Sequence, residues 1–467
     1  MSESKWGVRP GRAGRADSLR ASVACAGPVA RCAVRRCAMT AGVVVSVVTV
    51  GMVGCRDDAA EPGAMHGVGG FGGSDSGPRP TELKLRFQSM SVPGAADATD
   101  FVFLPGSQEM LLTTSKGELV HAVLEGDSVR GLKRWGVEEA TLTEAACGPT
   151  NVLLDPEFAD NGFVYITYCV DESVTHLARH RWSARDGLGP ATVIFETVIE
   201  EPQDLWHRFG SIGFEPDGRT LWALSGDHFL SREAQDPRNP LGAVLRIVPD
   251  RSPDGAGHTY PEGNMADDDE TIHPAVFAYG LRSPWRGTRD SQGRLWIAEV
   301  GLGKVEEINL LTEVGQNFGW PTYEGPCRVV RGEGGAPSDE PCEGFVDPIA
   351  HHTREGDDPY LIDDPLAEPA VRRAIWLGQI YEKPARDRYA GLMDGVVVFG
   401  EFYTGWVRAL RVNARGEVTF DRPIGHLVHV TQWRTGPDGY AYALDIHGVL
   451  HRAQLEIPEE ATEGASR

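Results

Sequence analysis

The chain has 467 residues, with 45 Lys+Arg against 67 Asp+Glu and a formal net charge of −22. That balance argues against a nucleic-acid binder, which needs a basic footprint to neutralise phosphates. A hydrophobic content of 41% supports a large core and excludes wholesale disorder, while 56 Gly and 31 Pro favour a turn-rich fold.

Residues 1–54 hold eight basic side chains, from Lys5 to Arg36, and two acids. An uncharged run follows from Cys37 to Gly54, closing on Met52-Val53-Gly54-Cys55. Basic segment, short apolar segment and small residues together describe a secretion signal. Cys55 after Val-Gly resembles the lipobox of bacterial lipoproteins, in which that cysteine is acylated. The alternatives are an ordinary signal peptide or a single membrane anchor, for which the run barely reaches the required length. Removal of this segment, with its net charge of +6, leaves about −28 on the mature chain. Such a surface suits cations and neutral substrates. Residues 55–80 are rich in Gly, Ser, Pro and Asp without periodicity, and read as a flexible tether. Gly67 to Gly72 formally fits G-x-G-x-x-G, but no strand precedes it and no helix follows.

The domain expected over 81–455 is built from a recurring unit: strand end, Asp-Gly turn, new strand. It occurs at Phe214–Leu224, at Asp290–Ala298 and at Gly436–Leu444, with looser copies at Leu154–Tyr168 and Ser115–Val120. Proline fixes one φ of such a turn and glycine tolerates a positive one. The flanking Leu-Trp, Ala-Tyr and Val-Tyr runs favour strands. Long amphipathic helices are absent, and the brief segment from Ala370 to Leu377 is the one helical candidate. These features predict an all-β fold, a six-bladed β-propeller whose radial closure protects the sheet edges. A pair of β-sandwiches is the competing arrangement. Residues 456–467 read as a disordered tail.

Four cysteines remain past Cys55: Cys147, Cys169, Cys327 and Cys342. An even number in an exported chain implies disulfides. The sequence-local pairing is Cys147 with Cys169 and Cys327 with Cys342, one of three arrangements that four cysteines allow.

Four ordered stretches carry a resemblance that runs from about residue 95 to 452. They are NVLLDPEFADNGFVYITY from Asn151, HRFGSIGFEPDGRTLWALSGD from His207, AQDPRNPLGAVLRIVPD ending at Asp250, and the long block from Ala278 to Pro321 that closes on NFGWP. The chain resembles the soluble quinoprotein sugar dehydrogenases, the glucose/sorbosone dehydrogenase family. These are six-bladed propellers that use pyrroloquinoline quinone (PQQ) and calcium. The resemblance implies an exported sugar (aldose or polyol) dehydrogenase, lipid-anchored in the periplasm or at the outer membrane or cell surface. It would pass electrons to an unidentified acceptor and have no nucleic-acid partner.

Matched position by position, the resemblance implies the following roles. His207 is the base that takes the hydroxyl proton while hydride leaves for the quinone, a task that suits an imidazole near neutral pH. Asp227 orients it. Arg282 meets the quinone oxygens with a fork built for oxyanions, and Ser283 stands beside it where the family usually has Asn. Backbone carbonyls of Gly301 and Leu302 match the calcium ligands, and Ca²⁺ takes six to eight oxygens. Glu306 and Glu307 match a second, structural calcium site of some members, or form a solvated acidic pair. His426 falls on a cofactor-binding position.

The chain departs from the family pattern in two places. Ala146 to Asn151 replaces the stretch that carries a carboxamide or acid near the substrate. Gly425-His426-Leu427-Val428-His429-Val430 puts His426 and Val428 where two arginines neutralise quinone carboxylates. Arg408, Arg411 and Arg434 are the candidate substitutes. A second class of function is therefore kept open: a non-catalytic propeller lipoprotein that binds a glycan or protein partner through loops on one face.

Overall fold

Short strands that are apolar on both faces need a packed neighbour on each side. In the computed structural model they obtain it by closing into a ring. The structure describes residues 82–456 except 145, 253–254, 327–343, 354–372 and 383. These residues form six antiparallel sheets, each with four main strands, and thus a six-bladed β-propeller. The predicted signal segment, Cys55, the tether, Cys327, Cys342 and residues 457–467 of the predicted tail lie outside the described residues.

The innermost strands of blades 1 to 6 are Ala98–Phe103, Asn151–Leu154, Phe209–Phe214, Pro284–Arg289, Ile375–Leu377 and Val430–Thr435. Each packs beside the next, and the last returns to the first. Blade 6 takes its outer strand from the start of the domain: Leu85–Ser91 pairs with Val449–Leu455, with Ser91 opposite Val449. The segment considered for a helix, Ala370–Leu377, is corrected in part. Its residues Ile375–Leu377 are a strand paired with Val397–Glu401, because Ile375, Trp376 and Leu377 all bury between neighbouring blades. One four-residue α-helix, Phe158–Asn161, occurs among the described residues, and no helix there is long and apolar enough to cross a membrane.

Six apolar clusters fill the six gaps between blades. The second strand of blade 3 shows why. Leu221 and Ala223 pack with Phe163 and Tyr165 of blade 2, whereas Trp222 and Leu224 pack with Leu295 and Ile297 of blade 4. Side chains alternate along a strand, so one strand feeds two cores.

The predicted Asp-Gly turns join first to second strands and so collect at one end of the ring. Gly218, Gly293 and Gly439 take φ of 63°, 79° and 83°. Asp217 Oδ1 accepts the N–H groups of Arg219 and Thr220 at 2.8 and 2.9 Å, fixing the turn from within. The opposite end, called the upper face below, holds the leads into the inner strands and the loops between second and third strands. His207, Asp227, Arg282 and Gly301 all lie there.

Candidate active site

His207 lies two residues before the inner strand of blade 3, with φ 59°. Asp227 follows the second strand of the same blade. Gly226 lets the two loops meet, since a Cβ there would stand 2.2 Å from the His207 carbonyl oxygen. His207 Nδ1 and Asp227 Oδ1 are 2.6 Å apart, with both side chains buried. A carboxylate can only accept, so the ring proton sits on Nδ1 and Nε2 keeps its lone pair. Nε2 has no hydrogen-bond partner among the described residues.

Three further groups fix the pair. Trp320 Nε1 donates to Asp227 Oδ2 at 2.8 Å, and the Phe229 N–H donates to Oδ1 at 2.9 Å. The Phe229 ring lies parallel to the imidazole, centroids 4.1 Å apart and 11° between planes. Burial pushes the His207 pKa down, the Asp227 hydrogen bond opposes that shift, and the positive Arg282 adds to it. The imidazole is therefore neutral at pH 7.

Arg282 lies two residues before the inner strand of blade 4, the position that His207 holds in blade 3. Its carbonyl accepts the Asp227 N–H at 2.7 Å, and its guanidinium lies 5.4 Å from the Trp320 ring centroid. Trp320 thus touches both the acid and the arginine. Arg282 Nη1 donates to the carbonyls of Val300 and Gly301, both at 2.8 Å. One of the two expected calcium carbonyls is thus already engaged by a cation, while the Leu302 side chain is 43% exposed. The loop is held from below by Glu324, whose Oε1 accepts the N–H groups of Gly303, Lys304 and Val305 at 2.8, 2.7 and 3.1 Å.

Ser283 donates its N–H to Glu299 Oε1 at 2.6 Å, and Arg282 does so at 3.0 Å. Glu299 Oε2 is buried without a hydrogen-bond partner among the described residues. Burial, with Glu307 next, holds the Glu299 carboxyl well above its usual range. Glu307 is the cross-strand neighbour of Glu299, and burial raises it to about 7. Glu306 turns the other way, where Oε2 accepts the Ile375 N–H of blade 5 at 3.0 Å. The adjacent acids 306 and 307 therefore do not share a face, and the structure pairs Glu307 with Glu299 instead. No group of three or more metal-type side chains is found among the described residues.

Of the other predicted residues, His426 lies elsewhere on the upper face, whereas Arg411 and Arg434 lie near the turn end of their strands. His426 closes the outer strand of blade 5, and its Nε2 is 2.8 Å from the Thr404 carbonyl. Arg408 is paired with Asp421, Arg411 donates to the Leu392 and Asp394 carbonyls, and Arg434 is paired with Asp100. Cys147 and Cys169 form a disulfide over blade 2, within the domain's upper loops. Trp320, Phe229, Glu299 and Glu324 had no assigned role in the sequence reading. The NFGWP signature contained Trp320, but a tryptophan in a motif does not announce which carboxylate it holds.

Fold and site together define a class: a six-bladed propeller with a buried His–Asp pair and an arginine converging at its axis. A sequence model of the Glucose / Sorbosone dehydrogenase family matches residues 96–355, and the chain belongs to that family. Among curated relatives, the uncharacterized protein slr1608 of Synechocystis is 27% identical over 381 residues, 76% of this chain and 82% of the relative. The aldose sugar dehydrogenase YliI of Escherichia coli is 25% identical over 362 residues, 73% and 85% respectively. Among solved structures, the PQQ-bound aldose sugar dehydrogenase of Streptomyces coelicolor has a TM-score of 0.59 at 18% identity, covering 81% of this chain and 100% of that one. The soluble aldose sugar dehydrogenase of E. coli in its apo form has a TM-score of 0.60 at 20% identity, covering 80% and 99%. At these identities the structural likeness speaks for the fold.

Proposed function

We propose that the protein is a sugar dehydrogenase that oxidises an aldose or polyol at a hydroxyl-bearing carbon. The observation that carries this reading is the neutral, buried His207, locked on Asp227 and set beside Arg282, with Nε2 unoccupied by any described residue. A hydroxyl proton passes to Nε2, and Asp227 stabilises the imidazolium that results. Arg282 supplies positive charge where oxygen becomes more negative. Trp320 and Phe229 exclude water from two sides of the pair.

PQQ, when bound, supplies the hydride acceptor. The guanidinium at 282 and the serine at 283 would meet its reacting edge, and the loop at 301 and 302 would hold calcium once the Gly301 carbonyl is released from Arg282 Nη1. The family's two carboxylate-binding arginines are replaced by His426 and Val428, so the fit is complete only if another cation serves. The names of the relatives support a sugar substrate. The signal-like residues 1–54 and Cys55 support export to the periplasm with a lipid anchor.

The test is reconstitution of the purified chain with PQQ and Ca²⁺, then dye reduction over a panel of sugars and polyols. Sugar-dependent reduction that His207→Ala abolishes is the expected result. Undiminished turnover in that variant refutes the assigned base. A failure to bind PQQ favours the second reading, a glycan- or protein-binding propeller, which the occupied His426 and apolar Val428 support.

A further inference from the structure

Arg286 is the third residue of the innermost strand of blade 4, and its side chain crosses the axis of the ring. Nε donates to the Thr431 carbonyl of blade 6 at 2.8 Å. Nη1 donates to Asn151 Oδ1, in blade 2, at 3.0 Å. Nη2 donates to the Thr99 carbonyl of blade 1 at 2.7 Å, and both terminal nitrogens reach the Thr150 carbonyl at 3.5 and 3.4 Å. One guanidinium therefore ties four blades together.

Every acceptor in that set is uncharged, and Arg286 makes no ion pair with a described residue. Asp100, the acid whose charge it feels most, is bonded instead by Arg434 at 3.1 and 3.2 Å and by Gln432 at 2.8 Å. Two arginines thus face one aspartate, which leaves Arg286 without a counter-charge of its own among the described residues. Arg286 is fully buried, which lowers its pKa to about 10, so it stays charged at neutral pH. A buried charge without a counter-charge is unfavourable for folding alone.

The charge lies under the site. Gly210, three residues after His207, accepts from the same Asn151 that accepts from Arg286. At about 3.3 Å per residue a fully extended lead would place the guanidinium about 10 Å below the level of His207, and the positive φ of His207 shortens that span.

We propose that Arg286 forms a cationic floor beneath the site and selects a ligand that carries carboxylates, replacing in part the arginines absent at 426 and 428. The inference rests on the quinone reading above. It assigns Arg286 a positioning role through its field, because its N–H groups are already used. At about 10 Å and an effective dielectric of about 20, one such charge is worth roughly tenfold in binding per ligand charge.

The test uses the full chain with Ca²⁺, titrated with PQQ and, separately, with uncharged PQQ trimethyl ester, followed by tryptophan fluorescence. Arg286→Gln is expected to weaken PQQ about tenfold or more and to leave the ester within about twofold, whereas Arg286→Lys keeps most of the PQQ affinity. Equal weakening of both ligands reduces Arg286 to a strut and overturns the proposal, as does unchanged PQQ binding. If Arg286→Gln does not fold, Asp100→Asn decides: removal of the counter-charge should tighten PQQ several-fold, and unchanged or weaker binding overturns the floor. If the wild-type chain binds no PQQ, the quinone reading falls and takes this inference with it. If the wild type binds PQQ and both variants bind as it does, this inference alone falls.

Discussion

The upper face has two unlike halves. On blades 3 and 4, His207, Asp227, Trp320 and Arg282 form one connected network in which aromatic rings back each polar contact. On blades 5 and 6 the corresponding loops carry His426 bonded to a backbone carbonyl, an apolar Val428, and a His429–His447 contact at 3.2 Å. The first half sets a buried imidazole–carboxylate pair beside an arginine, whereas the second offers a histidine bonded to a carbonyl and an apolar valine. The contrast separates two requirements: a proton transfer needs its groups at fixed atoms, whereas a charge acts over distance.

Substitutions can break this contrast. The largest effect is expected from His207→Ala, which should lower kcat/KM for a sugar substrate by about 10³-fold or more in steady-state assays. Asp227→Asn should lower it by about 10²-fold. Wild-type kcat/KM should rise with pH through a midpoint below the ordinary histidine value, because burial depresses His207 and only the neutral ring accepts a proton. Asp227→Asn removes the one strong influence that raises that value, so its acid limb should move to still lower pH. Trp320→Phe should cost about tenfold in rate by freeing one carboxylate oxygen, with unchanged secondary structure by circular dichroism. On the other half, His426→Ala should alter PQQ affinity by less than about twofold in a titration, since the ring already serves Thr404.

Stability offers a second comparison within blade 4. Glu307 is raised from 4.5 to about 7 by burial, so the folded state holds its proton more tightly than the unfolded state does. Its share of stability is present below pH 4.5 and is lost as pH rises toward 7. Glu307→Gln should therefore raise the melting temperature at pH 8 by a few degrees and change little at pH 4.5. The half-buried His352, depressed to about 4, has the opposite sign: its stability is present above 6.5 and lost as pH falls toward 4.

The ring was readable from the two Pro-Asp-Gly units and the Asp290-Ser291-Gln292-Gly293 variant, because each turn sets a local φ that the structure then shows at Gly218, Gly293 and Gly439. His207, Asp227 and Arg282 were readable as positions because they sit within contiguous motifs. Their convergence was not, since it depends on which inner strands are neighbours. Arg286 was missed for the same reason: its partners at Thr99, Thr150 and Thr431 are far away in sequence. Strand alternation sends the adjacent carboxylates of Glu306 and Glu307 to opposite faces, which their adjacency in sequence does not convey. The strand at 375–377 is too short for its periodicity to distinguish it from a helix turn.

The outer strand of blade 6 has a consequence for biogenesis. Leu85–Ser91 is among the first parts of the domain to be synthesised, yet its partner Val449–Leu455 is among the last. At about 5–20 residues per second, that early edge waits roughly 20–70 s for its mate. Until then an unpaired, partly apolar ribbon is open to any passing strand, and a newly made chain is safest with a holding chaperone on its leading end.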